Sequence, residues 1–236
     1  MNITEQSVIG ELVAADYRTA SVFKKHKIDF CCNGNRSIAE ACDKKQTPPE
    51  TLIKELRFAT QERNMVGEDY AAWPLDLLAD YIEKKHHRYV TTKIQEILPY
   101  LHKIVRVHGE RHPELEEIAY LFAESAEELT IHMEEEEKVL FPLIRKMVQQ
   151  SGETTQAPQT QNTIQNLMQE HDTEGQRFRR IAALTQDYTP PADACTTYRV
   201  SFSLLKEFEE DLHLHIHLEN NILFPKSITL EHSLVS

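Results

Sequence analysis

Residues 132–142 read His132-Met133-Glu134-Glu135-Glu136-Glu137-Lys138-Val139-Leu140-Phe141-Pro142, or HMEEEEKVLFP. Alone, four consecutive glutamates read as a solvated helix face. Residues 215–225, HIHLENNILFP, change that reading. There His215, Glu219, Leu223, Phe224 and Pro225 repeat the offsets of His132, Glu136, Leu140, Phe141 and Pro142. Residues four apart share a helix face, so each copy sets an imidazole beside a carboxylate.

The direction of that face follows from the apolar residues around it. Phe122, Leu129, His132, Glu136, Val139 and Leu143 form one stripe, and Leu205, Phe208, Leu212, His215, Glu219 and Ile222 form another. The polar pair therefore interrupts a core stripe in both segments. The same test applied upstream aligns Leu75, Leu78, Ile82, His86, Val90 and Ile94, and selects His86 over His87 in KKHHRY. It also aligns Ile164, Leu167, His171, Phe178 and Ile181. His213 and His217 point away from the stripe of His215, at about 100° per residue. Each half of this region thus offers one histidine from a first helix and a His-Glu pair from the next.

Apolar spacing of three and four predicts four long helices over residues 74–104, 113–148, 160–187 and 193–226. VRVHGERHP and DYTPPAD are short connections, and QSGETTQAPQTQ is a longer polar one. The expected architecture is all-α: an antiparallel four-helix bundle over residues 74–227. Residues 1–60 read as a small helical module and 61–73 as a linker. Ser37 is placed to cap a helix, and Thr47-Pro48-Pro49-Glu50 is a helix start.

Bulk composition agrees. The chain has 236 residues, 40% of them hydrophobic, and only six glycines, which favours helix over sheet. A net charge of −12 argues against nucleic acid or an anionic membrane as partner. No apolar run approaches the ~20 residues of a membrane span. With no signal segment at the N-terminus and four unevenly spaced cysteines, a cytoplasmic protein with reduced thiols is expected.

Two buried carboxylates without partners would each cost several kcal/mol, and four buried imidazoles would add unsatisfied nitrogens. A metal pair answers both problems. His86, His132, Glu136, His171, His215 and Glu219 would supply formal charge −2 against +4 from two divalent ions. The two carboxylates are placed to bridge, the logic of di-iron carboxylate bundles. Zinc fits less well, since structural zinc prefers a closed tetrahedral site. Glu134, Glu135 and Glu137 are read as solvent-facing, as are Glu170 and Glu174 beside His171, although those two could also reach the site. His108 and His112 are read as capping residues at a helix junction, and Cys195 as a loop residue without a role. Cys31 and Cys32 lie in a turn-rich loop and leave two readings open. They are either one buried and one exposed thiol without chemistry, or a reactive pair near the metal site.

IDFCCNGNRSIAEAC resembles the N-terminal domain of the bacterial iron–sulfur cluster repair di-iron proteins. HMEEEEKVLFP and DLHLHIHLENNILFP resemble their haemerythrin-like domain. The likeness runs from about residue 5 to 227, with Cys-Cys-Asn-Gly where the family usually has Cys-Cys-Gly-Gly. The resemblance implies two irons, oxo- and carboxylate-bridged, at the six residues reached by helical phase. It implies repair of clusters damaged by nitric oxide or peroxide, through iron donation or nitric oxide reduction at the iron pair, with Cys31 and Cys32 as catalytic residues. Damaged iron–sulfur proteins would be partners, nitric oxide or oxygen small ligands, and a homodimer a form such proteins take. The rival readings are a haemerythrin-like oxygen or nitric oxide carrier or sensor, and a helical bundle without metal.

Overall fold

The computed structural model describes residues 3–61, 69–149 and 160–235. Most of the expected linker and central connection therefore lie outside the described residues. Four short helices come first: α1 (Ile9–Ala15), α2 (Arg18–Lys25), α3 (Ile38–Lys45) and α4 (Pro49–Gln61). A 3-10 turn at Tyr70–Ala72 follows, and then four long rods form the antiparallel bundle.

Three of those rods contain a π-helical segment. The first runs α5 (Leu75–Tyr81), π turn Ile82–His87, α6 (Arg88–His108). The second runs α7 (Glu114–Glu135), π turn Glu136–Leu140, α8 (Phe141–Gln149). The third is a single helix, α9 (Thr160–Leu184). The fourth runs α10 (Thr196–Leu218), π turn Glu219–Leu223, α11 (Phe224–Val235). Rods one and two, one and four, and two and three are packed neighbours.

The repeated Leu-Phe-Pro is now explained. Pro142 and Pro225 do not stop their helices; each stands second in the α-helix that resumes after a π turn. A π turn shifts hydrogen bonding from i→i−4 to i→i−5, and a residue without an N–H is least costly where that register changes. The helix starts behave as their sequences predict. Ser37 and Glu40 form a reciprocal capping box, with Ser37 N donating to Glu40 Oε2 at 2.8 Å and Glu40 N donating to Ser37 Oγ at 3.2 Å. At α4 the prolines do lead the helix, but Thr47 turns its hydroxyl back to the Lys45 carbonyl at 3.5 Å.

Two apolar clusters hold the molecule together. One joins α1–α4 to the bundle, with Phe23, Phe30 and Leu56 in continuous contact with Phe122, Phe178 and Phe208. The other fills the opposite end, with Leu78, Ile82, Leu140, Phe141, Leu167, Leu223 and Phe224. In every rod the candidate polar residues fall between members of the two clusters. They therefore occupy a polar layer closed off above and below by hydrocarbon.

The N-terminal module is fastened to the fourth rod by two adjacent amides. Asn221 Nδ2 donates to the carbonyls of Phe30 (3.4 Å) and Cys31 (3.2 Å), and Asn220 Nδ2 donates to Cys31 O at 3.3 Å. Gly10 and Gly34 make room for this contact; a methyl group on either would collide with Asn221 Oδ1. Gly10 N also donates to Gly34 O at 2.7 Å. Arg179 closes the seam with an ion pair to Asp29 at 2.8 Å. Among the described residues no helix is long and apolar enough to cross a membrane.

Two expectations follow. Replacing Asn221 with Ala leaves the loop carbonyls short of donors, at about 1–3 kcal/mol. Cys32 should then react faster with iodoacetamide while helix content by circular dichroism is unchanged. Glu209 gives a pH dependence. It is 7% exposed, and burial pushes its carboxyl up to about 7, against the opposing pull of Lys24 and Tyr188. The folded chain therefore holds this proton above the ordinary value of 4.5, so stability declines as pH rises from 4.5 to about 7. Urea midpoints should fall between pH 5 and pH 8, and Glu209→Gln should flatten that fall by on the order of 2 kcal/mol.

Candidate metal centre

Five of the six residues selected by helical phase meet in the polar layer. His132, Glu136, His171, His215 and Glu219 are all at most 4% exposed. His215 Nε2 lies 3.0 Å from Glu219 Oε1, and His132 Nε2 lies 3.5 Å from Glu136 Oε2. His171 Nε2 faces both Glu219 Oε2 (3.3 Å) and His132 Nε2 (2.9 Å).

The sixth position is a correction. His86 does not face the carboxylates; His87 does. His87 Nε2 lies 3.4 Å from Glu136 Oε2 and 3.9 Å from Glu219 Oε1. His86 instead sets Nδ1 3.0 Å from Asp211 Oδ2 and stacks on His215, with centroids 5.5 Å apart. The cause is the π turn Ile82–His87. Its extra residue per turn carries the inward face on by one position, which a uniform period of 3.6 cannot register.

The donors form two overlapping sets. His87, His215, Glu136 and Glu219 can converge on one cation, and His132, His171, Glu136 and Glu219 on another. Both sets use both carboxylates. His87, Glu136 and Glu219 each belong to one of the π turns.

Three of the four imidazoles are held from behind. Nδ1 of His87 meets Glu137 Oε1 at 2.8 Å, that of His132 meets Glu170 Oε2 at 2.7 Å, and that of His171 meets Asn220 Oδ1 at 2.9 Å. Such partners fix the tautomer and turn Nε2 inward, as around metal-bound histidines. Glu137 and Glu170 were read as solvent-facing; they are these outer partners instead. Glu174 is also buried, bonded to Ser125 and Arg177. Glu134 matches its reading, pairing with Lys138 on an exposed face at 2.7 Å.

The charges are strongly polarised. Burial opposes ionisation of Glu219, but His215, His171 and His87 hold its carboxyl well below the usual range. Glu136 is likewise held low by His132 and His87, against burial and the charge of Glu219. Burial also opposes a proton on His87, yet Glu136 and Glu219 push it up to about 10. Even so, both oxygens of Glu136, Glu219 Oε2 and His87 Nε2 make no well-formed hydrogen bond among the described residues, though all are buried. Orphaned acceptors of opposite charge to a cation, ringed by imidazole nitrogens, are a donor set that fits a metal pair.

The thiols lie directly beside this layer. Cys31 is buried, Cys32 half-buried, and their sulfurs are 3.8 Å apart. Cys32 Sγ sits 3.2 Å from the His171 carbonyl, against Gly175, where a side chain would crowd it. Asp29 Oδ1 accepts from the backbone N–H of Cys31 (3.2 Å) and Cys32 (3.0 Å). The hydrogen bond with Cys32, then burial, pushes the Cys31 thiol well up, so it stays protonated. His213 and His217 face this module, and burial pushes them down to about 4 and about 3. Remote from it, His108 Nε2 meets Cys195 Sγ at 3.2 Å, and Cys195 is the residue preceding α10 rather than a free loop position. His112 pairs with Glu114 and Asp193.

A cavity of about 180 Å³, lined by Leu129, Ile131, His132, Glu170, His171 and Glu174 among others, opens against the second donor set.

Two family models match successive parts of the chain. Residues 78–227 match the family described as hemerythrin HHE cation binding domain. Residues 5–60 match ScdA_N, described as a domain of unknown function. The iron-sulfur cluster repair protein ScdA of Staphylococcus haemolyticus is 34% identical over 95% of this chain and 99% of its own length. The iron-sulfur cluster repair protein YtfE of Yersinia pestis is 36% identical over 97% of this chain and 99% of its own length. The counterpart in Yersinia pseudotuberculosis is 35% identical over the same shares. With both domains matched and full-length relatives at this level, the chain belongs to the family of haemerythrin-domain iron–sulfur cluster repair proteins.

Proposed function

We propose that this protein repairs iron–sulfur clusters damaged by nitrosative or oxidative stress. In this reading a pair of iron ions is held by His87, His132, Glu136, His171, His215 and Glu219. One observation carries it: four imidazole Nε2 atoms and two carboxylates converge in a dry layer as two donor sets that share both carboxylates. Sharing is what a bridged pair requires. Glu136 and Glu219 would bridge, and each ion would take two imidazoles. Their two negative charges against four positive from two divalent ions would leave a net +2.

When bound, the iron pair supplies one-electron chemistry, affinity for nitric oxide or oxygen, and iron for transfer. The remaining work belongs to the chain. Glu137, Glu170 and Asn220 keep the lone pair of Nε2 turned inward by binding Nδ1. The apolar layers above and below exclude water, which strengthens every electrostatic contact between them. The cavity beside His132 and His171 gives a small ligand a route to one ion. Cys32, whose sulfur meets the His171 carbonyl, and Cys31 form the thiol pair through which the centre communicates with a damaged client.

The competing reading is a haemerythrin-like oxygen or nitric oxide carrier or sensor without repair activity. The two amides that fasten the double-cysteine loop to the turn bearing Glu219 favour repair, because a simple carrier has no use for that attachment.

Iron analysis separates the two adjacent histidines. His87→Ala should lose at least half of the bound iron, whereas His86→Ala should keep the wild-type content, with both measured on protein purified without added metal. The activity test uses a nitric oxide-damaged [4Fe–4S] dehydratase. Wild-type protein should restore its turnover, and the double variant Glu136→Leu, Glu219→Leu should not. Recovery that survives the double variant would sink the proposed mechanism.

A further inference from the structure

His86 is fully buried, adjacent to a candidate ligand, and not itself aimed at the carboxylates. Its surroundings suggest a purpose. Its ring stacks on His215 with centroids 5.5 Å apart and planes 12° apart. Its other side receives the edge of Tyr81, at 5.5 Å and 75°. Tyr81 in turn meets Trp73 at 5.3 Å. Trp73 is the chain's single tryptophan and is half-buried, so its ring reaches solvent. Tyr70 packs on both, 5.0 Å from Trp73 and 5.5 Å from Tyr81, and the two tyrosine hydroxyls lie 3.1 Å apart. An unbroken line of π-systems therefore runs from the surface through Trp73, Tyr81 and His86 to His215.

Aromatic packing alone would account for Tyr70, Trp73 and Tyr81. It does not account for an imidazole completing the line, oriented by Asp211 and lying offset and nearly parallel to a donor of the metal centre. Nor does it explain why two readily oxidised rings, a phenol inside and an indole nearer the surface, with closely matched potentials, lie in one line with that imidazole.

We propose that Trp73, Tyr81 and His86 form a conduit that carries oxidising equivalents from the metal centre to the surface, sparing the ligands and the thiol pair when the centre meets peroxide. This rests on the iron reading above. Reduction of peroxide to two waters consumes two electrons and two protons, and a half-oxidised iron pair has one electron to give. Tyr81 gives the second, together with its phenolic proton. Peroxide, one ferrous ion, the Tyr81 phenol and one proton from solvent thus become two waters, one ferric ion and a Tyr81 phenoxyl radical. The hydroxyl of Tyr70 gives the phenolic proton a hydrogen-bonded exit. Trp73 then passes an electron and its indole proton to Tyr81, restoring the phenol and leaving an indolyl radical. At the surface a small-molecule thiol gives up a hydrogen atom to that radical and becomes a thiyl radical. His86 is not oxidised; it provides the contact between Tyr81 and His215.

The test uses the full-length, iron-loaded protein, half-reduced, mixed with hydrogen peroxide and frozen for electron paramagnetic resonance. Wild type should give an organic radical beside the iron signals. Tyr81→Phe should diminish it about tenfold, and Trp73→Phe should leave a tyrosyl radical living about tenfold longer. Peptide mapping should find oxygen added to Trp73 in the iron-loaded protein about ten times more often than in the iron-free protein. All variants should keep wild-type iron. Iron-loaded wild type that forms no organic radical and leaves Trp73 unmodified overturns the conduit while the iron reading stands. A chain that takes up no iron overturns the iron reading itself.

Discussion

Everything in this molecule is arranged around two carboxylates in a place where carboxylates are expensive. Glu136 and Glu219 are both fully buried and face the same small volume. Their mutual repulsion and desolvation oppose ionisation, so the fold must supply compensating charge or lose several kcal/mol at each. His87 and His132 answer in part, by accepting protons more readily than exposed histidines do. Divalent ions would answer in full. The apolar clusters on either side, the π turns that steer donors inward and the outer acceptors that hold Nδ1 are all intelligible as means of keeping that charge balanced and dry.

The π turns are the less obvious half of the design. An α-helix presents its inward face at positions separated by three and four, which lets each rod aim only so many side chains at one point. A single extra residue per turn widens the rod locally and swings a neighbouring side chain into line. Three rods do this at the same height, and the donors His87, Glu136 and Glu219 all belong to those segments. Such bulges are uncommon in helices and concentrate at functional sites, because they weaken the ladder and persist only where something repays the loss.

That same feature marks where the sequence could and could not be read. The His-Glu pairs were legible because both members of each lie four apart with the histidine on an ordinary α-helix, and the duplication exposed them. His171 was legible because α9 is uninterrupted. His87 was not, since a phase count that starts at Leu75 crosses the π turn before reaching it. Its chemistry offered no help either, with two adjacent histidines of equal donor strength. Glu137 and Glu170 were hidden for another reason. An acidic residue with one solvent-facing oxygen and one bonded to a buried imidazole looks, in sequence, like any charged surface position. The tight fit of the double-cysteine loop against the bundle was also out of reach, because it depends on Gly10 and Gly34 leaving space for the side chain of Asn221, far along the chain from both.

That fit has a mechanical consequence. Glu219, Asn220 and Asn221 are consecutive. The first bears a carboxylate of the polar layer, the second holds both His171 and the Cys31 carbonyl, and the third grips the same carbonyl and that of Phe30. No flexible joint separates them. A rotation of this one turn would carry the sulfur-bearing loop with it, and strain applied to the loop would return by the same arm.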